Sequence, residues 1–554
     1  MRDEGSRHDR AHGAAAPGGD ARACDGIDVL RRPCGRRCKH GAARMVQAHT
    51  HGESGHRAGR ALVRNLILGL ATLLLPATVQ AQTLWPANGA RGVNPDTHLT
   101  LTFASKPAIG TSGKVRIYDA ADGTLVDTLD LAIPASPNPE GRAANTDGAT
   151  RSPKPPQPAG PDNPDYQSTK IGGVYFHFFP AIVRGNTATL YPHNGALQYG
   201  KRYVVKIDAS TLKPATGSFA GIDSDKGWTF TTKPAPPKAD ATRLVVSADG
   251  KGDFSTVQGA IDFVPEKPAK PVTIFIRNGK YEEIVYINGK SNLILRGEDR
   301  DKTIVGYANN SAFNRVRPAF SVVNSSDIQL STFTINNYFI GQAEALLMRG
   351  ERNIVDRMTL NGSGDAFTTG GTIYMVDSKL TGDGDTILAY AALFCLRCEI
   401  HSVGPFTWTR TPKGSHGNVF IDSTFIYVDK PLPWSITPAN PAGRKTEGVL
   451  ARLPRNGPAG TDYTNFPYAE MVLINARTSG IPPVGWGPVQ DQPDFDWSNL
   501  RLMEFGTTDM QGRLVDLSSR HAAVRRLTLP GDAALIADYR RPEYVLGGWS
   551  PVVR

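Results

Sequence analysis

The sequence predicts an all-β protein: a single-stranded parallel β-helix preceded by a small β-sandwich. Two observations carry this. From Leu244 onward, short β-branched runs return at near-constant intervals: QLSTFTI at 329–335, IVDRMTL at 354–360, YMVDSKL at 374–380, FCLRCEI at 394–400 and VFIDSTF at 419–425. Each run alternates apolar and polar residues, and Asn, Asp and Gly fill the gaps between them. One turn-rich break per repeat of about twenty residues is what a β-helical coil requires. Ahead of that point, residues 83–234 carry short alternating strands with turn residues but no repeat, the pattern of a sandwich.

The segment 1–81 stands apart. The 554-residue chain is 40% hydrophobic and 21% charged, with a net charge of +10, which excludes global disorder and a disulfide-stapled miniprotein. Residues 1–81 hold 13 Lys+Arg against 7 Asp+Glu, leaving 49 against 45 for the rest, so the bulk of the chain gives no case for nucleic acid. Arg57, Arg60 and Arg64, the apolar run Leu66 to Leu75 and the small-residue site Val79-Gln80-Ala81 occur in the order of a secretory signal. Residues 1–81 therefore read as leader and signal, Met45 as a plausible start, and the mature chain as secreted, extracellular or periplasmic, with no membrane span. Cys24, Cys34 and Cys38 fall in this leader. Cys395 and Cys398 remain, without a second pair to complete a metal site, and read as a buried thiol and its neighbour on the opposite face.

In the segment 83–234, Leu99, Leu101 and Phe103 alternate, and VRIYDAADGTLVDTLDL forms a hairpin pattern around Asp122-Gly123. This segment resembles the bacterial Ig-like domains attached to secreted enzymes. Residues 135–165 form a Pro-rich insertion expected to be disordered, and 235–242 a Pro-rich linker leading into the β-helix, 243–554.

The register of the repeats carries the chemical argument. Asp365 follows Ile354, the start of one run, at the same offset at which Asp385 follows Tyr374, the start of the next. Coils stack about 4.8 Å apart, so the two carboxylates are expected on one face as near neighbours. Both cannot ionise cheaply at that distance, which separates a proton donor from a carboxylate nucleophile. A single Asp would read as a turn residue; the shared offset favours a site.

Three blocks then resemble the pectinesterases: LVVSADGKGDFSTVQGAID (244–262), NGKYEEIVYINGKSNLILRGEDRDKTIV (278–305) and LTGDGDTILAYAALFCLRC (380–398). The resemblance implies a right-handed parallel β-helix that hydrolyses the methyl esters of polygalacturonate without metal or cofactor. It also implies roles: Asp385 as nucleophile, Asp365 as general acid/base, Gln342 as a donor to the developing oxyanion, and Arg452 as the group holding the nucleophile. Three positions depart from the family pattern. Gly364 stands where a second glutamine is usual, Pro454 where a tryptophan is usual, and Leu388-Ala389-Tyr390 where FGN is usual. A Gly364→Gln substitution is therefore expected to restore a missing donor, by up to ~10²-fold in rate.

For a sugar substrate, Trp408, Trp434 and Trp486 offer ring faces, and Arg410 a partner for galacturonate carboxylates. The expected partner is methyl-esterified polygalacturonate, and the expected state a monomer. Other hydrolase designs lack support: no G-x-S-x-G pentapeptide or H-E-x-x-H occurs, and six of the twelve His lie in the leader. Two alternatives remain: a β-helix that binds pectin without cleaving it, and a pectate lyase, for which Asp365, Asp383 and Asp385 would mimic a calcium cluster.

Overall fold

A computed structural model describes residues 82–141, 158, 164–428, 448–452, 466–487 and 497–554. The chain divides into two units, 1–74 and 75–554, and every described residue belongs to the second. The leader and signal segment 1–81, most of the insertion 135–165, Trp434 and Pro454 lie outside the described residues. Among the described residues no helix is long and apolar enough to cross a membrane.

The first part of this unit is built from short strands because apolar and polar residues alternate between turns. Leu99, Leu101 and Phe103 all point inward and are buried. The expected hairpin forms: Lys114–Asp119 pairs antiparallel with Leu125–Asp130, and Gly123 supplies the positive φ of +75° at the turn. A four-stranded sheet runs in the order 83–85, 99–102, 187–190, 181–184, and a five-stranded sheet in the order 90–93, 229–232, 202–207, 114–119, 125–130. Their inner residues, among them Leu101, Ile117, Val205 and Trp228, share one core.

From Arg243 the strands become parallel. Eleven follow one another along one sheet, from Arg243–Val246 to Val524–Arg526, and eight along a second, from Gly279–Glu282 to Arg477–Ser479. The chain thus winds as a parallel β-helix. The starts of the repeated runs coincide with its register: Gln329 pairs with Ile354, Ile354 with Tyr374, Tyr374 with Phe394, and Phe394 with Val419. Inside the coils, Leu330, Val355, Met375, Cys395 and Phe420 stack in a single file, all buried. The helix Val257–Phe263, whose N-cap is Thr256, buries Val257, Ala260 and Ile261 over the first coil.

The corners of the coils share a left-handed residue. Thr332, Arg357, Asp377, Arg397, Asp422 and Asn475 have φ between +49° and +61° and occupy equivalent positions on successive coils. Left-handed backbone costs an L-residue about 1–2 kcal/mol, less for Asn and Asp. Here each corner N–H reaches a carbonyl of the next coil, for example Arg397 N to Ile421 O at 2.9 Å. Arg397 also forks onto Asp377 at 2.7 and 2.8 Å, and Asn475 donates to Asp422 at 3.0 Å. The bend at Arg397 corrects the reading of the cysteines. It turns the chain between them, so Cys395 and Cys398 both face the core and both are free thiols, rather than lying on opposite faces.

The two β parts are packed together. Ile284, Tyr286, Tyr307, Phe313 and Ala319 of the β-helix belong to the same apolar cluster as the inner residues of the first part. Asp96 accepts from Ser255 N at 2.9 Å, and from Thr256 N and Oγ1 at 2.8 Å each, just ahead of the helix 257–263.

Candidate active site

Leu346, Phe367 and Ile387 pair in register on three consecutive coils. Glu344, Asp365 and Asp385 each stand two positions ahead of one of them and therefore form a row. The backbone between them is tied across the coils, Ala345 N to Ala366 O at 3.1 Å and Ala366 N to Thr386 O at 2.9 Å. Asp365 and Asp385 thus hold equivalent backbone positions on adjacent coils, with Glu344 at the matching position of the coil before.

Each aspartate has its own arginine. Arg317 Nη2 lies 2.7 Å from Asp365 Oδ2, and Arg452 Nη1 lies 2.7 Å from Asp385 Oδ2. Arg317 also pairs with the buried Glu344. Burial pushes Asp365 well above the ordinary carboxylate range; the charges of Glu344 and Asp385 add to this, while Arg317 and Arg410 oppose it. Asp365 therefore favours its protonated form, as a proton donor must. Asp385 has φ +45°, a strained conformation that Asp tolerates better than most residues.

Downstream, the outward residues of the same strands build an aromatic and cationic surface. Thr407 bridges Ala451, which places the following Arg452 beside Trp408, with its guanidinium carbon 4.6 Å from the ring centroid. Arg410 stacks on Trp408 at 3.5 Å, lies 5.1 Å from the Tyr390 ring and bonds the Tyr390 hydroxyl. Arg349 approaches Tyr390 at 5.4 Å. Trp408 and Arg410 thus stand with the arginine of the nucleophile candidate, but Trp408 gives ring surface to two cations.

Gln342 is solvent-exposed, with φ +47°, and its backbone lies against Gly364: a Cβ on Gly364 would sit 3.2 Å from Gln342 N. Gly364 has φ +74°, so this position suits glycine, and the expectation that glutamine could simply be restored there is corrected. Trp486 is corrected as well. Its side chain is fully buried and its Nε1 donates to Glu504 at 3.1 Å, so it offers no face to a sugar and belongs to the core. Asp383 faces backward, accepting from Ser363 Oγ at 2.9 Å and from Gly364 N, which ties it to the previous coil rather than to Asp365. Among the described residues no group of three or more His, Cys, Asp or Glu is arranged to hold a metal ion.

Glu344 and Arg317 were not singled out from the sequence. The coil from Gln329 to Ile354 is longer than the one from Ile354 to Tyr374, so Glu344 falls farther from the start of its run and escapes the offset that relates Asp365 to Asp385. Counting back from the apolar residue at 346, 367 and 387 would have found it.

Fold and site define a β-helical protein with a paired-aspartate centre, each carboxyl held by its own guanidinium and the more buried one pushed toward its protonated form. Residues 243–417 match the family model described as Pectinesterase, a span that includes Gln342, Asp365, Asp385, Trp408 and Arg410 but not Arg452. Probable pectinesterase 56 of Arabidopsis thaliana is 30% identical over 173 residues, which is 30% of this chain and 60% of the relative. Probable pectinesterase 30 of the same plant is 27% identical over 306 residues, 53% of this chain and 59% of the relative. The chain thus spans about three-fifths of the length of these relatives. Among solved structures, a pectin methylesterase from carrot is 20% identical, with a TM-score of 0.45, covering 57% of this chain and 95% of its own.

Proposed function

We propose that this protein is a carboxylic ester hydrolase that removes methyl groups from esterified polygalacturonate. The observation that carries the reading is the pair Asp365 and Asp385 on adjacent coils, each with a separate arginine. The family match over 243–417 supports the substrate class.

In this reading Asp385 attacks the ester carbonyl carbon, forming a carboxylate–acyl bond and placing negative charge on the carbonyl oxygen. Asp365 passes its proton to the departing methoxide, and methanol leaves. The Asp365 carboxylate then takes a proton from water as that water attacks the acyl carbon. The acyl–Asp385 bond breaks, and both side chains return to their starting states. Arg452 orients Asp385, and the role left to Gln342 is that of donor to the transient oxyanion. On the same reading the chain is secreted after loss of residues 1–81, acts as a monomer, and carries an Ig-like module at 83–234.

Methanol release from methylated polygalacturonate tests this, with Asp385→Asn as the control. Asn is the better replacement because it tolerates the left-handed backbone at 385 and keeps the shape while removing the charge. Wild type should liberate methanol and Asp385→Asn should not. Binding without methanol would favour the pectin-binding alternative, and an unsaturated, ultraviolet-absorbing product the lyase.

A further inference from the structure

The third carboxylate of the row has no place in the mechanism above, yet it is built into the site. Glu344 is 1% exposed, and its charge is met by Arg317, with Thr368 Oγ1 3.3 Å from Oε1. The Arg317 guanidinium bridges Glu344 to Asp365, reaching across from the chain just before the strand 320–323. We propose that Glu344 and Arg317 are positioning residues for the proton donor: Arg317 anchors the Asp365 carboxyl, and the Glu344 charge sets how long that carboxyl keeps its proton as pH rises. This deepens the esterase reading and rests on it for the role of Asp365.

A guanidinium against Asp365 alone would pull the carboxyl toward its charged form and spoil it as a donor. Glu344 removes that difficulty. It shares the guanidinium, so the arginine can hold Asp365 in place without imposing its full charge on it. The other groups facing Asp365 are Asp385, which disfavours its ionisation, and Arg410, which favours it. Arg452 pairs with Asp385, and Asp383 accepts from Ser363 and Gly364. Glu344 is the neighbour whose charge acts on Asp365 most strongly after burial itself.

The sign of the test follows. In Glu344→Gln a negative charge is lost, and Arg317 is left to Asp365 alone; both changes favour the Asp365 carboxylate. The Asp365 titration midpoint, followed by carboxyl difference infrared spectroscopy and assigned by its absence in Asp365→Asn, should fall by about one pH unit or more. This readout needs no activity, so it stands or falls separately from the esterase reading. The alkaline limb of kcat/KM for methanol release should move down with it. An unmoved midpoint in a folded Glu344→Gln protein overturns the proposal, whatever the loss of rate or thermal stability.

If Glu344→Gln does not fold, the double variant Glu344→Met with Arg317→Met decides, since replacing a buried ion pair by apolar groups of similar volume is often tolerated. Without its anchor, Asp365 should lose about tenfold or more in kcat with KM little changed. A double variant with wild-type kcat and an unmoved alkaline limb overturns the proposal.

Discussion

Arg452 and Asp385 are far apart in the chain and meet at 2.7 Å, Nη1 to Oδ2. The contact is made possible by a bridge between Thr407 and Ala451, which brings Arg452 alongside the coils that carry the aspartates. Arg452 Nη1 thus aims at one oxygen of Asp385. Arg452→Ala should cost roughly 10² in kcat, the scale of a misplaced reacting group. Arg452→Lys, which keeps the charge but not the planar guanidinium that lies beside Trp408, should recover only part of it. Equal kcat in all three proteins, measured by methanol release, would remove Arg452 from the site.

Gly364 stands where the resemblance implies a second glutamine. Its φ of +74° and the 3.2 Å approach to Gln342 N mean that any side chain there is strained. Gly364→Ala should lower folding stability by about 1–2 kcal/mol in urea titration. Gly364→Gln should be at least as destabilised and should gain no activity. A faster Gly364→Gln enzyme of normal stability would show that the backbone can turn over to seat the glutamine.

Asp96 links the two β parts. It receives three hydrogen bonds from Ser255 and Thr256, whose residues are buried. Asp96→Ala leaves two backbone N–H groups without their acceptor and should cost about 1–3 kcal/mol. Thermal unfolding would read this as a lower midpoint, with kcat unchanged below the transition. An unchanged midpoint would mean that the contact between the parts contributes little.

The β-helix was legible because its repeats are short and its loops few between Gln329 and Thr424. A coil of constant length turns a sequence offset directly into a spatial neighbour, which is how the sequence alone pairs Asp365 with Asp385. The same reasoning failed at Glu344, where a longer coil shifts the offset. Trp486 misled for a different reason. A Gly-Trp pair has no periodicity to show which way the ring points, and only the buried Glu504 reveals that its N–H has an interior partner. The shared core was equally hidden. Ile284 and Tyr286 lie on or beside short strands whose outward faces look ordinary until the first part of the chain covers them.

The left-handed corners have a consequence for how such a chain can change length. Along the interior file, Val355, Met375 and Cys395 are alike in being apolar and buried, so the core does not distinguish one coil from the next. The corners do. Removing the coil that holds Asp377 would set Arg357 against Arg397, both cationic, whereas removing two successive coils would set Arg357 against Asp422. From Arg357 to Asp422 the corner charge alternates with a period of two coils while the apolar file repeats with a period of one. The order of these coils is therefore marked at their edges, outside the core that holds them together.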